Sequence, residues 1–178
     1  MKTMTARPAP APFRVGFVCT GNICRSPMAE VILRDLAERA GLADRLEVRS
    51  AGTGEWHLGE GADPRTVAAL HRAGLDASEH VARRFDADDL DTLDLVIVVD
   101  HVQERILRGW ASTEEQRSKI HLLLSFDPEQ PPGAEVPDPY YSDDAMFESV
   151  RRMIGRACRG LFAQLEPALR DPNRERTG

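Results

Sequence analysis

Five residues separate Cys19 from Arg25, and Ser26 follows directly, in the run Cys19-Thr20-Gly21-Asn22-Ile23-Cys24-Arg25-Ser26. Residues of these types at this spacing can bind a phosphate and attack it. Gly21 permits close approach of the backbone, and Asn22 tolerates the left-handed region better than most residues. A loop curled in that way turns successive backbone N–H groups inward as an anion nest. A helix starting at its end adds the positive end of its dipole, and Arg25 can fork onto two oxygens. The same donors favour the thiolate of Cys19, the nucleophilic form. One set of dipoles then binds the substrate and activates the nucleophile.

Three other readings of the run compete. A nucleotide-binding loop requires Gly-x-x-x-x-Gly-Lys-Ser/Thr, and the lysine is missing. A zinc site requires four ligands, whereas Cys19 and Cys24 offer two. Burial without chemistry is the default for an isolated cysteine. The setting favours the phosphate reading. Residues 13–18 are a short β-rich run that stops at Cys19. Ser26-Pro27 then opens a helix, with Ser26 at the cap and Pro27 in the first helical position.

The elements that must position this loop follow from periodicity. Met28, Ile32 and Leu36 recur at helical spacing until Gly41. A second strand is expected at 46–50, then a loop over 51–62 and a helix opened by Asp63-Pro64 carrying Val67, Leu70 and Leu75. Residues 93–99 form the clearest strand, a continuous apolar run that implies burial on both faces. A helix over 101–108 and a strand over 120–124 follow. Strands alternating with helices imply a parallel sheet. The expected fold is α/β: a single domain, a four-stranded parallel sheet flanked by helices, with the phosphate-binding loop after the first strand. Residues 125–141 make a long Pro-rich loop, a kind of loop that is often functional. Phe147, Val150, Ile154, Cys158, Leu161 and Leu165 form one stripe of a long C-terminal helix. The domain is expected over 13–170, between a disordered leader at 1–12 and a polar tail at 171–178.

The 178 residues, 42% hydrophobic and 29% charged, suit one soluble globular domain. A formal net charge of −6 argues against a general nucleic-acid binder, which carries a basic face. It does not argue against a single phosphate. Backbone amides, a helix end and Arg25 leave little mark on the total. The longest strongly apolar run, 95–99, is far too short to span a bilayer, and residues 1–12 lack the apolar core of a signal peptide. Three cysteines are too few for a disulfide framework and point to a reducing compartment. No metal-ligand cluster and no cofactor motif are read.

Residues 18–30, Val-Cys-Thr-Gly-Asn-Ile-Cys-Arg-Ser-Pro-Met-Ala-Glu, resemble the signature of the low-molecular-weight protein tyrosine phosphatases. The resemblance continues through Ser50-Ala-Gly-Thr-Gly-Glu-Trp56, Asp63-Pro-Arg65, His80-Val-Ala-Arg83 and Asp138-Pro-Tyr-Tyr141, from about Phe13 to Leu165. Bacterial members with Trp-His after Ser-Ala-Gly-Thr-Gly, actinobacterial ones in particular, are most similar. The resemblance implies a phosphotyrosine protein phosphatase that needs no metal or cofactor. It makes Cys19 the nucleophile that becomes phosphocysteine, Arg25 the phosphate ligand and Asp138 the general acid and base. Pro139 fixes the backbone beside that carboxylate.

Thr20, Gly21, Asn22, Ile23, Cys24 and Ser26 are then expected to bind the substrate phosphate, Ser26 also bonding the Cys19 thiolate. Trp56 and Tyr140 are expected as pocket walls that favour the long phosphotyrosine, with core packing the competing role for either ring. His57, Ile23 and Thr20 are expected to tune substrate preference. Asn22 and His80 are expected to brace the loop. Between Gly74 and His80 the chain holds one residue more than the usual spacing, so a solvent-exposed His80 stands as the alternative. Asp100 is read as a helix cap. The resemblance further implies a reversible Cys19–Cys24 disulfide that shields the nucleophile, and inert burial is expected for Cys158. Tyr140 and Tyr141 are the only tyrosines; the resemblance implies a tyrosine kinase acting on them as a partner, besides phosphotyrosine proteins, with no nucleic acid and no membrane. The expected location is cytoplasmic, with export by a non-standard route left open.

Two rival functions are weighed. An arsenate reductase on the same fold uses a similar loop but relays a disulfide through two further cysteines. Beyond Cys24 only Cys158 is present. A non-catalytic phosphotyrosine-binding or redox-sensing module has no need of both Cys19 and Asp138.

Overall fold

The apolar runs become four short strands and the amphipathic stretches between them become helices. The computed structural model describes residues 10–173. Of the expected leader and tail, 1–9 and 174–178 lie outside the described residues. In chain order the elements are β1 (Phe13–Cys19), α1 (Arg25–Arg39), β2 (Leu46–Gly52), α2 (Pro64–Arg72) and α3 (Asp89–Thr92). Then come β3 (Leu95–Val98), α4 (His101–Trp110), α5 (Glu114–Ser118), β4 (Ile120–Leu122) and α6 (Asp144–Arg170). Single 3-10 turns occupy Ala43–Arg45 and Leu123–Phe126.

The sheet order is β2-β1-β3-β4 and every pairing is parallel. Side chains alternate across it, as the two-residue repeat of a strand requires. Val15, Phe17, Ile97 and Val99 face α1, α2 and α6, whereas Val18, Val96 and Val98 face the layer holding Leu90 and Leu107. The α6 stripe packs as expected, with Phe147, Val150, Ile154, Cys158 and Leu161 buried and Leu165 partly so.

Several boundaries differ from the sequence expectation. The first helix begins at Arg25 with Cys24 at its cap, so Ser26 is not the cap and Pro27 is the third helical residue. The Ser26 hydroxyl is engaged elsewhere (below), and the opening N–H groups of a helix have no intrahelical partner, so proline is tolerated throughout the first turn. Strand β2 runs on to Gly52, because β1 offers partners as far as Cys19. Strand β3 starts at Leu95 because Leu93 closes α3. Strand β4 stops at Leu122, where the chain turns into the 3-10 segment.

Helix α1 leaves β1 towards one face of the sheet, and α4 leaves β3 towards the other. The neighbouring carboxyl ends of β1 and β3 therefore bound a crevice. In parallel α/β sheets that reversal is where ligands bind.

Candidate active site

Cys19 is the last residue of β1, and the loop to α1 curls over it. Asn22 adopts φ 57°, the left-handed value expected from its type. Its backbone N–H points at Cys19 Sγ (3.2 Å). Its side-chain amide donates to Ser26 Oγ (2.8 Å) and Ser50 Oγ (2.9 Å), while its Oδ1 accepts the Arg83 N–H (3.0 Å). Since Ser26 Oγ already accepts from Asn22, its own hydrogen is free for Cys19 Sγ at 2.9 Å. The sulfur thus faces two hydrogen-bond donors.

The loop is fixed from both flanks. Thr53 and Gly54 donate backbone N–H groups to the carbonyls of Cys19 and Thr20 (3.0 Å each). A Cβ on Gly52 would lie 2.6 Å from the Thr20 carbonyl, so only glycine permits this approach. His80 places Nε2 2.6 Å from the Asn22 carbonyl and Nδ1 3.7 Å from a Glu30 oxygen. Its side chain is 5% exposed, which contradicts the solvent-exposed alternative.

Arg25 is buried at the floor of the crevice. Both Nη1 hydrogens are used, on Asp100 Oδ2 (2.8 Å) and the Val136 carbonyl (2.9 Å). The Nε–Nη2 edge, with Nη2 3.7 Å from Asp138 Oδ2, makes no hydrogen bond among the described residues and can fork onto an oxyanion. Asp100 is the α4 cap that the sequence predicts, with Oδ1 accepting from Val102 and Gln103 N–H groups. Its other oxygen orients Arg25, a task not foreseen. Burial alone raises the Asp100 carboxyl, but the hydrogen bond and charge of Arg25, with the donors around Gln103, hold it below the usual carboxylate range.

Asp138 comes from the loop before α6. Its Oδ2 lies 3.7 Å from Arg25 Nη2 and its Oδ1 accepts the Tyr140 N–H (3.1 Å). A cleft of about 470 Å³ joins it to the nucleophile, lined by Cys19, Thr20, Gly21, Ile23, Cys24, Arg25, Trp56, His57, Asp138, Tyr140 and Tyr141. Asn22, Ser26 and His80 support this lining from beneath. Trp56 is 72% exposed, so it stands at the cleft lip and not in the core. His57 bonds Glu60 (2.8 Å) and its ring lies 6.0 Å from that of Tyr140. Cys24 sits inside the cleft wall, and burial, with the nearby Asp63 charge, pushes its thiol up to about 12. Cys158, on the buried face of α6, is fully buried, and burial raises its thiol.

A family model for low molecular weight phosphotyrosine protein phosphatases matches residues 14–170. The chain belongs to this family. A Streptomyces coelicolor low molecular weight protein-tyrosine-phosphatase is 51% identical over 154 residues, covering 85% of this chain and 92% of the relative. The crystal structure of YfkJ from Bacillus subtilis superposes with TM-score 0.82 at 38% identity, covering 88% of this chain and 96% of that one. A structure of the Bacillus subtilis arginine phosphatase YwlE superposes with TM-score 0.76 at 30% identity, covering 86% and 96%. The phosphatase fold thus supplies both the crevice and the loop.

Several residues of the phosphatase site were not singled out from sequence. Gln103 is fully buried, closes the α4 capping box and donates to Thr20 Oγ1 (3.0 Å). Ser50, Arg83 and Glu30 hold Asn22 or His80 from positions remote along the chain. Only the capping pattern, Asp100 followed by Gln103 at the third helical position, carried a local signal.

Proposed function

We propose that the enzyme hydrolyses phosphotyrosine monoesters in two steps through a phosphocysteine on Cys19. One observation carries the reading: a sulfur facing two donors, the open Nε–Nη2 edge of Arg25 and the Asp138 carboxylate meet in one cleft. In the first step the Cys19 sulfur attacks phosphorus as the bond to the phenolic oxygen breaks, and Asp138 gives that oxygen its proton. In the second, the Asp138 carboxylate takes a proton from water, whose oxygen attacks phosphorus as the S–P bond breaks. Inorganic phosphate then leaves and the thiolate returns to the Ser26 hydroxyl. Arg25 and the loop amides hold the phosphoryl oxygens through both steps, as pre-aligned donors. No cofactor enters the scheme.

The fold alone does not select the leaving group, since YwlE shares it. Trp56 and Tyr140 at the cleft support an aromatic one, so phosphotyrosine proteins are the proposed substrates. With p-nitrophenyl phosphate, Cys19→Ser is expected to be inactive and Asp138→Ala to lose about 10²–10⁴ in rate. Faster turnover of phosphoarginine than of phosphotyrosine peptides would overturn the substrate assignment.

The reading includes a tyrosine kinase as a regulatory partner. Tyr141 is 94% exposed at the cleft edge and stacks edge-on against Tyr140 (4.9 Å). Phosphate on either ring adds negative charge where the substrate phosphate must enter. Mass spectrometry after kinase treatment is expected to show a modified 140–141 peptide; an unmodified one contradicts the assignment. A reducing cytoplasm suits the three free thiols.

A further inference from the structure

We propose that Arg65 is a positioning residue that sets the acid loop in register with the nucleophile loop. The proposal rests on Asp138 being the general acid. The acid loop, 137–142, belongs to no helix or strand. At its start Val136 donates to the Val99 carbonyl (2.9 Å), and its own carbonyl accepts from Arg25. Within it the Ser142 N–H turns back to the Pro139 carbonyl (2.8 Å). Asp138 also lies 3.7 Å from Arg25 Nη2, and the loop's backbone carbonyls at Tyr140 and Ser142 are held by Arg65 on α2.

The Arg65 guanidinium uses four of its five N–H bonds. Nε and Nη2 grip the two oxygens of Asp63 (3.0 and 2.9 Å), Nη2 also donates to the Tyr140 carbonyl (2.9 Å), and Nη1 donates to the Ser142 carbonyl (3.0 Å). The same plane lies over the Phe147 ring of α6 at 4.4 Å and beside the Tyr140 ring at 5.7 Å. Asp63 in turn donates its backbone N–H to the Ile23 carbonyl of the nucleophile loop (2.9 Å). A continuous set of contacts therefore runs from Ile23 through Asp63 and Arg65 to Tyr140.

Tyr140 is where this reaches the acid. Its carbonyl is held by Arg65, and its N–H donates to Asp138 Oδ1. Holding the Tyr140 backbone by its carbonyl fixes where the preceding peptide's N–H, across the Tyr140 Cα, meets Asp138 Oδ1, and leaves Oδ2 on the Arg25 side of the cleft. Lysine cannot replace this grip, because an ammonium lacks the planar fork that reaches a carboxylate and two carbonyls together.

The test is the leaving-group dependence of kcat/KM, which reports transfer to the enzyme. Phenyl phosphate needs a proton on its departing oxygen, whereas 2,4-dinitrophenyl phosphate does not. Arg65→Met and Arg65→Lys are expected to lower kcat/KM about tenfold or more for phenyl phosphate, and by less than about twofold for the dinitrophenyl ester. In an Asp138→Ala background the same substitutions should cause no further loss with phenyl phosphate. An equal loss for both esters, a loss that persists without Asp138, or no loss at all would overturn the role. Asp138→Ala alone showing no leaving-group dependence would instead remove the general-acid reading itself. Thermal unfolding is followed in parallel, and should Arg65→Met fail to fold, Arg65→Lys carries the comparison.

Discussion

Asn22 does the work of several residues from one backbone conformation. Its left-handed φ points its N–H at the nucleophile, while its amide fixes the direction in which Ser26 must donate. Such a conformation is costly for most side chains and is retained here because five partners use it. Cys24, beside it, has the opposite character: buried and pushed up to about 12, it stays a neutral thiol while Cys19 reacts. Peroxide converts a thiolate to sulfenic acid, which condenses with a neighbouring thiol to give a disulfide and water. Dithiothreitol is therefore expected to restore peroxide-treated wild type, and to restore Cys24→Ser to a markedly smaller extent. Equal recovery of the two would remove the protective role. The chemistry of residues 19–26 was legible because it is contiguous: type, spacing and flanking elements all lie within one short run.

Asp100 shows what happens between elements. Its cap role was readable from the strand-to-helix junction, but its grip on Arg25 depends on β3 lying beside β1, a fact of sheet order. The same holds for Arg65 on the acid loop, where the partners are 75 residues apart, whereas the contact of His80 with the Asn22 loop, 58 residues away, was expected only from the family resemblance. The strands were legible because continuous apolar runs mark strands buried on both faces. Their ends were not, since pairing partners decide them, as Cys19 does for Gly52. Two substitutions separate the tasks of Asp100. Asp100→Ala is expected to destabilise the fold by about 0.5–2 kcal/mol through the lost cap, and to raise KM for aryl phosphates. Asp100→Asn can still cap α4 but holds Arg25 less firmly, so KM should rise with a smaller fall in unfolding free energy. An unchanged KM in Asp100→Asn would show that Arg25 is oriented by the Val136 carbonyl alone.

Across the molecule, a net charge of −6 coexists with an anion site because the site is built from amide hydrogens and one buried guanidinium. Four carboxylates depend on arginine partners in the folded state. In each, burial opposes ionisation but is outweighed: by Arg65 at Asp63, Arg25 at Asp100, Arg49 and Arg14 at Glu47, and Arg151 and Arg72 at Glu148. Folded values below unfolded ones mean that the unfolded chain binds more protons as acid is added. The stability they provide is complete above the ordinary carboxylate range and is lost as pH falls through it. Denaturant midpoints should therefore drop between about pH 5 and about pH 3, and a flat midpoint there would count against these pairs.

The central claim is that phosphate passes through Cys19, and the phosphoenzyme itself is the most direct test. Wild-type enzyme turning over an aryl phosphate is stopped by a rapid denaturing quench, digested and read by peptide mass spectrometry. The account predicts a phosphorylated peptide modified at Cys19 in wild type, and neither that peptide nor turnover in Cys19→Ser. Phosphate on another residue, or undiminished hydrolysis by Cys19→Ser, would contradict it.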